Sequence, residues 1–220
     1  MAVSAAVGVA IERFVYFPLL KYPPFVPLIA SIAILLSVEE LCRLIAGPQI
    51  LTFPAELPFP EFRVAGVTVT STITAVYGIT AAVLGLLWVI TTKTELGLAM
   101  RAASQDMAVA DAMGINSHLI VSLTFVIGSA VAAVAGILVG IYFNQVYPTM
   151  GAIPAYKTLA LIVVGGLGSV PGAVVAALLL GMAETLLIGY ADIPLPRDAL
   201  AFIAMIGMLM WRSQGLLGSR

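Results

Sequence analysis

Long uncharged stretches alternate with short polar segments along the 220-residue chain. No Asp, Glu, Lys or Arg occurs in residues 64–92, 119–156 or 158–183. A helix of about 20 residues crosses the ~30 Å hydrocarbon core of a bilayer, so each stretch is long enough to cross. The regular alternation of apolar and polar residues that is typical of membrane barrels is absent. The pattern therefore predicts an all-α, polytopic membrane protein with about five to seven membrane segments, one pair of them broken or re-entrant.

Three ordinary spans are predicted, at about 25–46, 68–92 and 119–142. A longer apolar region covers 156–190, and a short one covers 199–211. The long region exceeds one ordinary span, and the sequence GGLGSVPG interrupts it. This break predicts either a discontinuous membrane helix, which often marks a permeation path, or a simple turn between two short helices. The sequence alone leaves both readings open.

The beginning of the chain differs from the other apolar segments. Only eleven residues precede the first charges, Glu12 and Arg13, and they cover about half a bilayer crossing. Pro18 and the prolines after it predict a loop rather than a continuing helix. We therefore expect a chain that begins partway through a membrane helix and is shortened at its N-terminus.

Composition agrees with the membrane assignment and excludes several classes of function. Charged residues make up 10% of the chain, and its mean hydropathy is +1.12, whereas soluble domains carry about 25% charged residues. The net charge of −1 does not indicate nucleic-acid binding. One cysteine and one histidine cannot assemble a zinc site. No P-loop motif occurs, and GGLGSVPG does not fit the dinucleotide fingerprint. We expect no enzyme and no cofactor bound by this chain.

Two groups of residues within the predicted spans invite specific interpretations. Small residues recur every four positions in the span 119–142, a pattern that lets another helix approach closely; they are Gly128, Ala132, Gly136 and Gly140. Glu184 lies between uncharged stretches, where a carboxylate is costly and suggests a functional site with a basic partner. Lys157 and Arg197 are the candidate partners, and a position near the membrane surface is the alternative.

Residues of the broken region are the candidates for a translocation path. They comprise the glycines and serine of the break together with the carboxylate that follows it: Gly165, Gly166, Gly168, Ser169, Gly172 and Glu184.

Residues 96–116, LGLAMRAASQDMAVADAMGIN, predict a short helix between two spans. The helix lacks the bulky apolar face of an interfacial anchor. Small residues instead offer a surface that fits the groove of another protein; they are Ala102, Ala103, Ala110 and Gly114. Gly114 also predicts the end of the helix. The alternative is a solvated loop.

Four segments, RAASQDMAVADAMGIN, TFVIGSAVAAVAGILVG, VVGGLGSVPGAVVAALLLGMAETL and WRSQGLLG, resemble the permease subunits of bacterial ATP-binding-cassette importers for branched-chain amino acids. The resemblance is continuous from about residue 8 to 218 and preserves order and spacing. It implies a single transmembrane permease domain over 1–220 in the bacterial inner membrane, with a cytoplasmic coupling loop at 93–118.

The resemblance also implies partners. Such permeases pair with a sister permease, use ATP only through separate ATPase subunits, and receive substrate from a periplasmic or surface-anchored binding protein. The coupling helix that seats in the ATPase maps onto a set of residues in this chain: Arg101, Ala102, Asp106, Ala110, Asp111 and Gly114.

The chain departs from the family at its start, where further helices and an Asn-Phe-Ala-His-Gly segment are expected. The leading hypothesis is a permease subunit for branched-chain amino acids or related small amides. A secondary transporter or channel, suggested by the broken helix and Glu184, and a fragment that does not transport are the alternatives.

Overall fold

The computed structural model describes residues 1–19, 22, 25–53, 62–64, 67–166, 170–191 and 197–211. Five helices in this part of the chain are long and apolar enough to cross a membrane: Ala2–Leu19, Ser71–Lys93, Ser117–Phe143, Pro148–Gly165 and Val170–Leu187. The prediction of an all-α, polytopic membrane protein is confirmed.

The α-helices are α1 (Ala2–Ile11), α2 (Phe17–Leu19), α3 (Phe25–Ala46), α4 (Ser71–Lys93), α5 (Glu95–Gln105), α6 (Met107–Ala112), α7 (Ser117–Phe143), α8 (Ala152–Gly165), α9 (Val170–Ala191) and α10 (Arg197–Trp211). A π-helix covers Glu12–Tyr16, and a 3₁₀ turn covers Pro148–Gly151. Short strands are β1 (Leu51–Thr52), β2 (Phe62–Val64), β3 (Val67–Val69) and β4 (Gln145–Val146). Strand β1 pairs antiparallel with β4, and β2 pairs antiparallel with β3.

The first helical segment is longer than the sequence predicted. It continues from α1 through the π-helix and α2 to Leu19, a span of 18 residues that includes Pro18. The expected half-length helix and the loop at Pro18 are therefore wrong. In a regular α-helix the proline ring clashes with the carbonyl four residues earlier, and here a π-helix, Glu12–Tyr16, precedes the short helix that contains Pro18.

The contacts of the described chain fall into two compact units, Met1–Pro148 and Thr149–Arg220. In the first unit α1 packs antiparallel on α7. A Cβ at Gly8 would lie 2.8 Å from the Cβ of Ser129, so this crossing requires glycine. The Tyr16 and Phe125 rings extend the contact, with their centroids 5.0 Å apart.

In the described part of the chain, most of the small-residue stripe of α7 is uncovered, and the helix contact predicted for it is not formed there. Gly128, Ala132 and Gly136 are exposed, and a Cβ at either glycine would meet no atom within 4 Å. Only Gly140 is covered, because β4 turns back on it and a Cβ there would lie 3.2 Å from Val146 Cγ2. Helix α1 packs near Ser129 and Phe125 of α7, so contact of the stripe with another helix remains a prediction.

In the second unit α8 packs against α9 and α10. Each of these helices places an alanine in the contact, and Ala160, Ala176 and Ala201 are each 1% exposed. Side chains this small let helix backbones approach closely. The break in the region 156–190 is confirmed, since α8 ends at Gly165 and α9 begins at Val170. Both helices belong to segments of spanning length, so the break separates two spans and not two short helices.

Candidate functional site

Two features of the described chain have the properties of functional sites. One is the loop that carries α5 and α6 between the spans α4 and α7, in the first unit. The other is a charge pair between α8 and α9, in the second unit.

Thr94 forms the corner between α4 and α5. Its extended backbone ends α4, and its hydroxyl donates to the Ile90 carbonyl at 2.5 Å. The same oxygen accepts the N–H of Gly97 at 3.2 Å. The hydroxyl therefore satisfies a carbonyl that the end of α4 leaves unpaired and also caps the start of α5.

The next turn of α5 is held against the end of α4. Gly97 is buried, and a Cβ there would lie 2.5 Å from the Ile90 carbonyl oxygen, so only glycine fits at this position. One turn later the Arg101 guanidinium donates to the carbonyl of Thr91. A cation at this place also interacts favourably with the negative end of the α4 dipole. Arg101 thus fastens α5 to a membrane span.

Asp106 divides the single helix that was predicted into two. Its extended backbone ends α5, and its Oδ1 accepts the N–H groups of Ala108 at 2.8 Å and Val109 at 3.1 Å. This is the geometry of an N-cap, and a side chain with this role favours the start of a new helix. Asp106 therefore shapes the loop through α6.

Gly114 ends α6, as the sequence predicted. Its φ of 88° is in the left-handed region. Its N–H donates to the Asp111 carbonyl at 3.0 Å, and the N–H of Ile115 donates to the Ala110 carbonyl at 3.0 Å. These two bonds form a Schellman motif, which satisfies the last carbonyls of a helix and favours glycine at this position.

Asp111 fastens α6 to the next span. Its Oδ1 accepts the N–H of Ser117, the first residue of α7, at 2.9 Å. Ser117 is 2% exposed, and its hydroxyl donates to the Met107 carbonyl at 3.3 Å. Hydrogen bonds from Ser117, above all from its backbone, hold the pKa of Asp111 below its usual value, and the charge of His118 acts in the same direction.

The outer surface of this loop differs from the surface of small residues that was predicted. Ala103 and Ala110 are 6% and 3% exposed because α5 and α6 pack against α7. Larger apolar side chains are exposed on the loop instead; Leu96, Leu98 and Met107 are three of them, and the two at the end of α6 are Val109 at 56% and Met113 at 79%. They are four positions apart, on one side of the turn that ends α6. The sequence could have revealed this pair, because bulky apolar residues stand out within an alanine-rich polar loop.

The remaining predicted residues of the loop are placed in different environments. Arg101, Asp106, Asp111 and Gly114 are exposed, and Ala102 is half-buried. The polar ones each make a hydrogen bond that shapes the loop.

The second feature joins two helices of spanning length. Lys157 Nζ on α8 lies 3.0 Å from Glu184 Oε1 and 3.1 Å from Oε2 on α9. The two side chains are 22% and 15% exposed. Lys157 is therefore the partner of Glu184 among the described side chains, and the side chain of the other candidate, Arg197, lies outside them. Charges within membrane segments are costly and are usually paired, as they are here.

The glycines of the break have a packing role that is separate from this pair. A Cβ at Gly165 would lie 2.5 Å from Ala173 N on α9, and Gly166 ends α8 with a φ of 104°. Gly172 is buried beside them. Gly166 lies nine residues from Lys157, about 14 Å along a helix. Gly168 and Ser169 lie outside the described residues.

The described chain has five helices of spanning length, a charge pair between two of them and a loop fastened to two others, so it is a polytopic membrane protein. The family described as "Branched-chain amino acid transport system / permease component" matches residues 1–210, and the chain belongs to this family. The resemblance seen in the sequence motifs is confirmed.

Individual relatives agree with the family. The chain is 34% identical to the high-affinity branched-chain amino acid transport system permease protein BraD of Pseudomonas aeruginosa, over 98% of this chain and 71% of BraD. It is 30% identical to LivH of Escherichia coli, a permease protein of the same description, over 99% of this chain and 72% of LivH. A probable branched-chain amino acid permease of Methanocaldococcus jannaschii is 28% identical, over 82% of this chain and 57% of that protein. No solved structure matches the chain.

Proposed function

We propose that this permease carries branched-chain amino acids, or related small amides, across the bacterial inner membrane, and that separate ATPase subunits drive it by docking on the loop at 93–118. Family membership and the names of BraD and LivH support the substrate class. The observation that carries the coupling proposal is that the loop is fastened at both ends to membrane spans.

The fastenings give the loop a mechanical role. Arg101 and Thr94 tie α5 to the last turn of α4, and Asp111 ties α6 to the first residue of α7. A partner that pushes on α6 therefore moves the ends of two spans together. The chain has no ATP-binding motif of its own, so ATP binding and hydrolysis occur in the partner subunits, and their movement enters the membrane part through this loop.

Val109 and Met113 are the proposed contact with the ATPase. Both side chains are more than half exposed at the end of α6, where the neighbouring exposed side chains of Ala108, Asp111 and Ala112 are small or polar. Apolar side chains at the centre of an interface supply most of its affinity, and small neighbours let the partner approach closely. A sister permease and a substrate-binding protein complete the proposed assembly.

Co-purification of the chain with its ATPase subunits tests the docking proposal. We expect the double variant Val109→Glu, Met113→Glu to reach the membrane at the normal level and to lose the ATPase, since two charges would be desolvated in the interface. Gln105→Glu is the matched control, because it adds a charge at an exposed position of the same loop. Undiminished ATPase association of the double variant would show that docking occurs elsewhere.

A further inference from the structure

The charge pair between α8 and α9 is placed where a charge pair is expensive. Lys157 lies in the span Pro148–Gly165, nine residues from its first residue, and Glu184 lies on α9, three residues before the end of the span Val170–Leu187. Removing two charges from water costs several kcal/mol for each ion, and their attraction often fails to offset that cost. Apolar side chains of similar volume would join α8 and α9 at least as well. The pair is therefore poorly explained as a packing device.

The geometry suits exchange of partners. One ammonium group serves both carboxylate oxygens, at 3.0 and 3.1 Å, and both side chains keep part of their surface accessible. Lysine is a compact charge on a flexible four-carbon stem, so its ammonium can withdraw without movement of the backbone. A ligand that brings a cation for Glu184 and an anion for Lys157 would leave no charge unpaired within the membrane.

We propose that Lys157 and Glu184 form a binding site for the zwitterionic backbone of an α-amino acid on its way through the membrane. The ammonium group of the substrate replaces Lys157 on the Glu184 carboxylate, and the substrate carboxylate pairs with the released Lys157 ammonium. Departure of the substrate restores the original pair. This inference rests on the proposed function, since it assigns the recognition step to the same transport activity.

Uptake of radiolabelled L-leucine tests the inference in cells that lack other leucine uptake systems and carry variants of the intact gene. The decisive variant is Lys157→Met, Glu184→Gln, which removes both charges and leaves neither one unpaired. We expect a normal amount of protein in the membrane and an uptake rate lowered by at least about tenfold, because a tenfold change needs only 1.4 kcal/mol and two ligand charges lose their partners. An uptake rate within about twofold of normal would overturn the inference, because a twofold change corresponds to much less than 1.4 kcal/mol.

Two further variants complete the test. Thr158→Val, Thr185→Val is the matched control, because these neighbouring hydroxyls bond only within their own helices, to Pro154 O at 2.7 Å and Gly181 O at 2.8 Å; uptake should be preserved. If the neutral variant does not reach the membrane, a second double variant, Lys157→Glu, Glu184→Lys, which exchanges the two charges, tests the inference in its place. Impaired uptake at normal abundance supports the binding site, and normal uptake contradicts it.

The two proposals fail in different ways. If wild-type cells take up no more leucine than a strain in which the gene is deleted, that result contradicts the proposed function itself. Normal wild-type uptake combined with normal uptake by the neutral variant would contradict only the binding site.

Discussion

Arg101 on α5 donates a hydrogen bond to the carbonyl of Thr91 in the last turn of α4, ten residues earlier in the chain. The bond pairs a cation with the negative end of a membrane helix and holds the following helix against it. Because it joins a span to the loop that we propose as the ATPase contact, its loss should affect transport more than assembly.

We expect Arg101→Met to preserve ATPase co-purification and to lower ATP-driven leucine uptake several-fold, since docking remains while α4 no longer follows the loop. Arg43→Met is the control: Arg43 makes an exposed pair with Glu40 at 3.0 Å, and such pairs contribute about 0–1 kcal/mol. Equal uptake by the two variants would argue against a role of Arg101 in transmission.

Gly97→Ala should destabilise the permease, because the added Cβ would lie 2.5 Å from the Ile90 carbonyl oxygen. Gly136→Ala provides a matched control on α7, where a Cβ meets nothing within 4 Å; it should be neutral or stabilising by up to about 1 kcal/mol. The thermal unfolding midpoint in detergent measures both. A Gly97→Ala variant as stable as wild type would contradict the close packing of α5 on α4.

Gly114→Ala tests the left-handed end of α6. The φ of 88° costs a residue with a Cβ about 1–2 kcal/mol, although no atom lies within 4 Å of the added carbon. Gly114→Asn should lose less, since asparagine tolerates this conformation better. The unfolding midpoints of the two variants give the order, and an alanine variant more stable than the asparagine variant would exclude backbone strain as the cause.

Asp111 predicts a pH dependence of the loop. Its pKa is lowered from 3.8 by hydrogen bonds from Ser117, so the carboxylate stabilises the folded loop above the ordinary pKa. That stabilisation is lost as the pH falls below about 3.8 and through the lowered value. Hydrogen exchange at residues 107–117, measured relative to the intrinsic exchange rate at each pH, should therefore show a loss of protection as the pH falls through that range.

Asp111→Asn is the control for that experiment. The variant should exchange faster than wild type at neutral pH and lose the acid-dependent step, so the two proteins converge at low pH. An acid-dependent step that persists in the variant would assign it to another group.

Much of the fold follows from simple patterns, because a run without charges is long enough to be read directly as a span. Helices α4 and α7 begin and end within a few residues of the predicted limits, and Gly114 ends α6 as its residue type indicates. Local rules failed at Pro18, where the helix continues after a π-helical turn. They also failed at Asp106, whose capping bonds divide one helix into two.

The candidate sites depended more on tertiary packing. Ala110 was expected on the surface because it is small and lies in a polar loop, yet α7 covers it. Glu184 was recognised as a carboxylate in an apolar region, but the choice of Lys157 as its partner required the packing of α8 on α9. The periodicity of a single helix does not show which residues of different helices lie in contact.

The central claim is that the loop between α4 and α7 meets the ATPase through Val109 and Met113. Photo-cross-linking in the intact transporter tests it most directly, with a photoreactive amino acid at residue 109 or 113 and, as control, at Ile137, which is 50% exposed on the span α7. We expect ATPase adducts from residues 109 and 113 and none from residue 137. Absence of ATPase adducts from both loop positions in a transporter that still takes up leucine would contradict the claim.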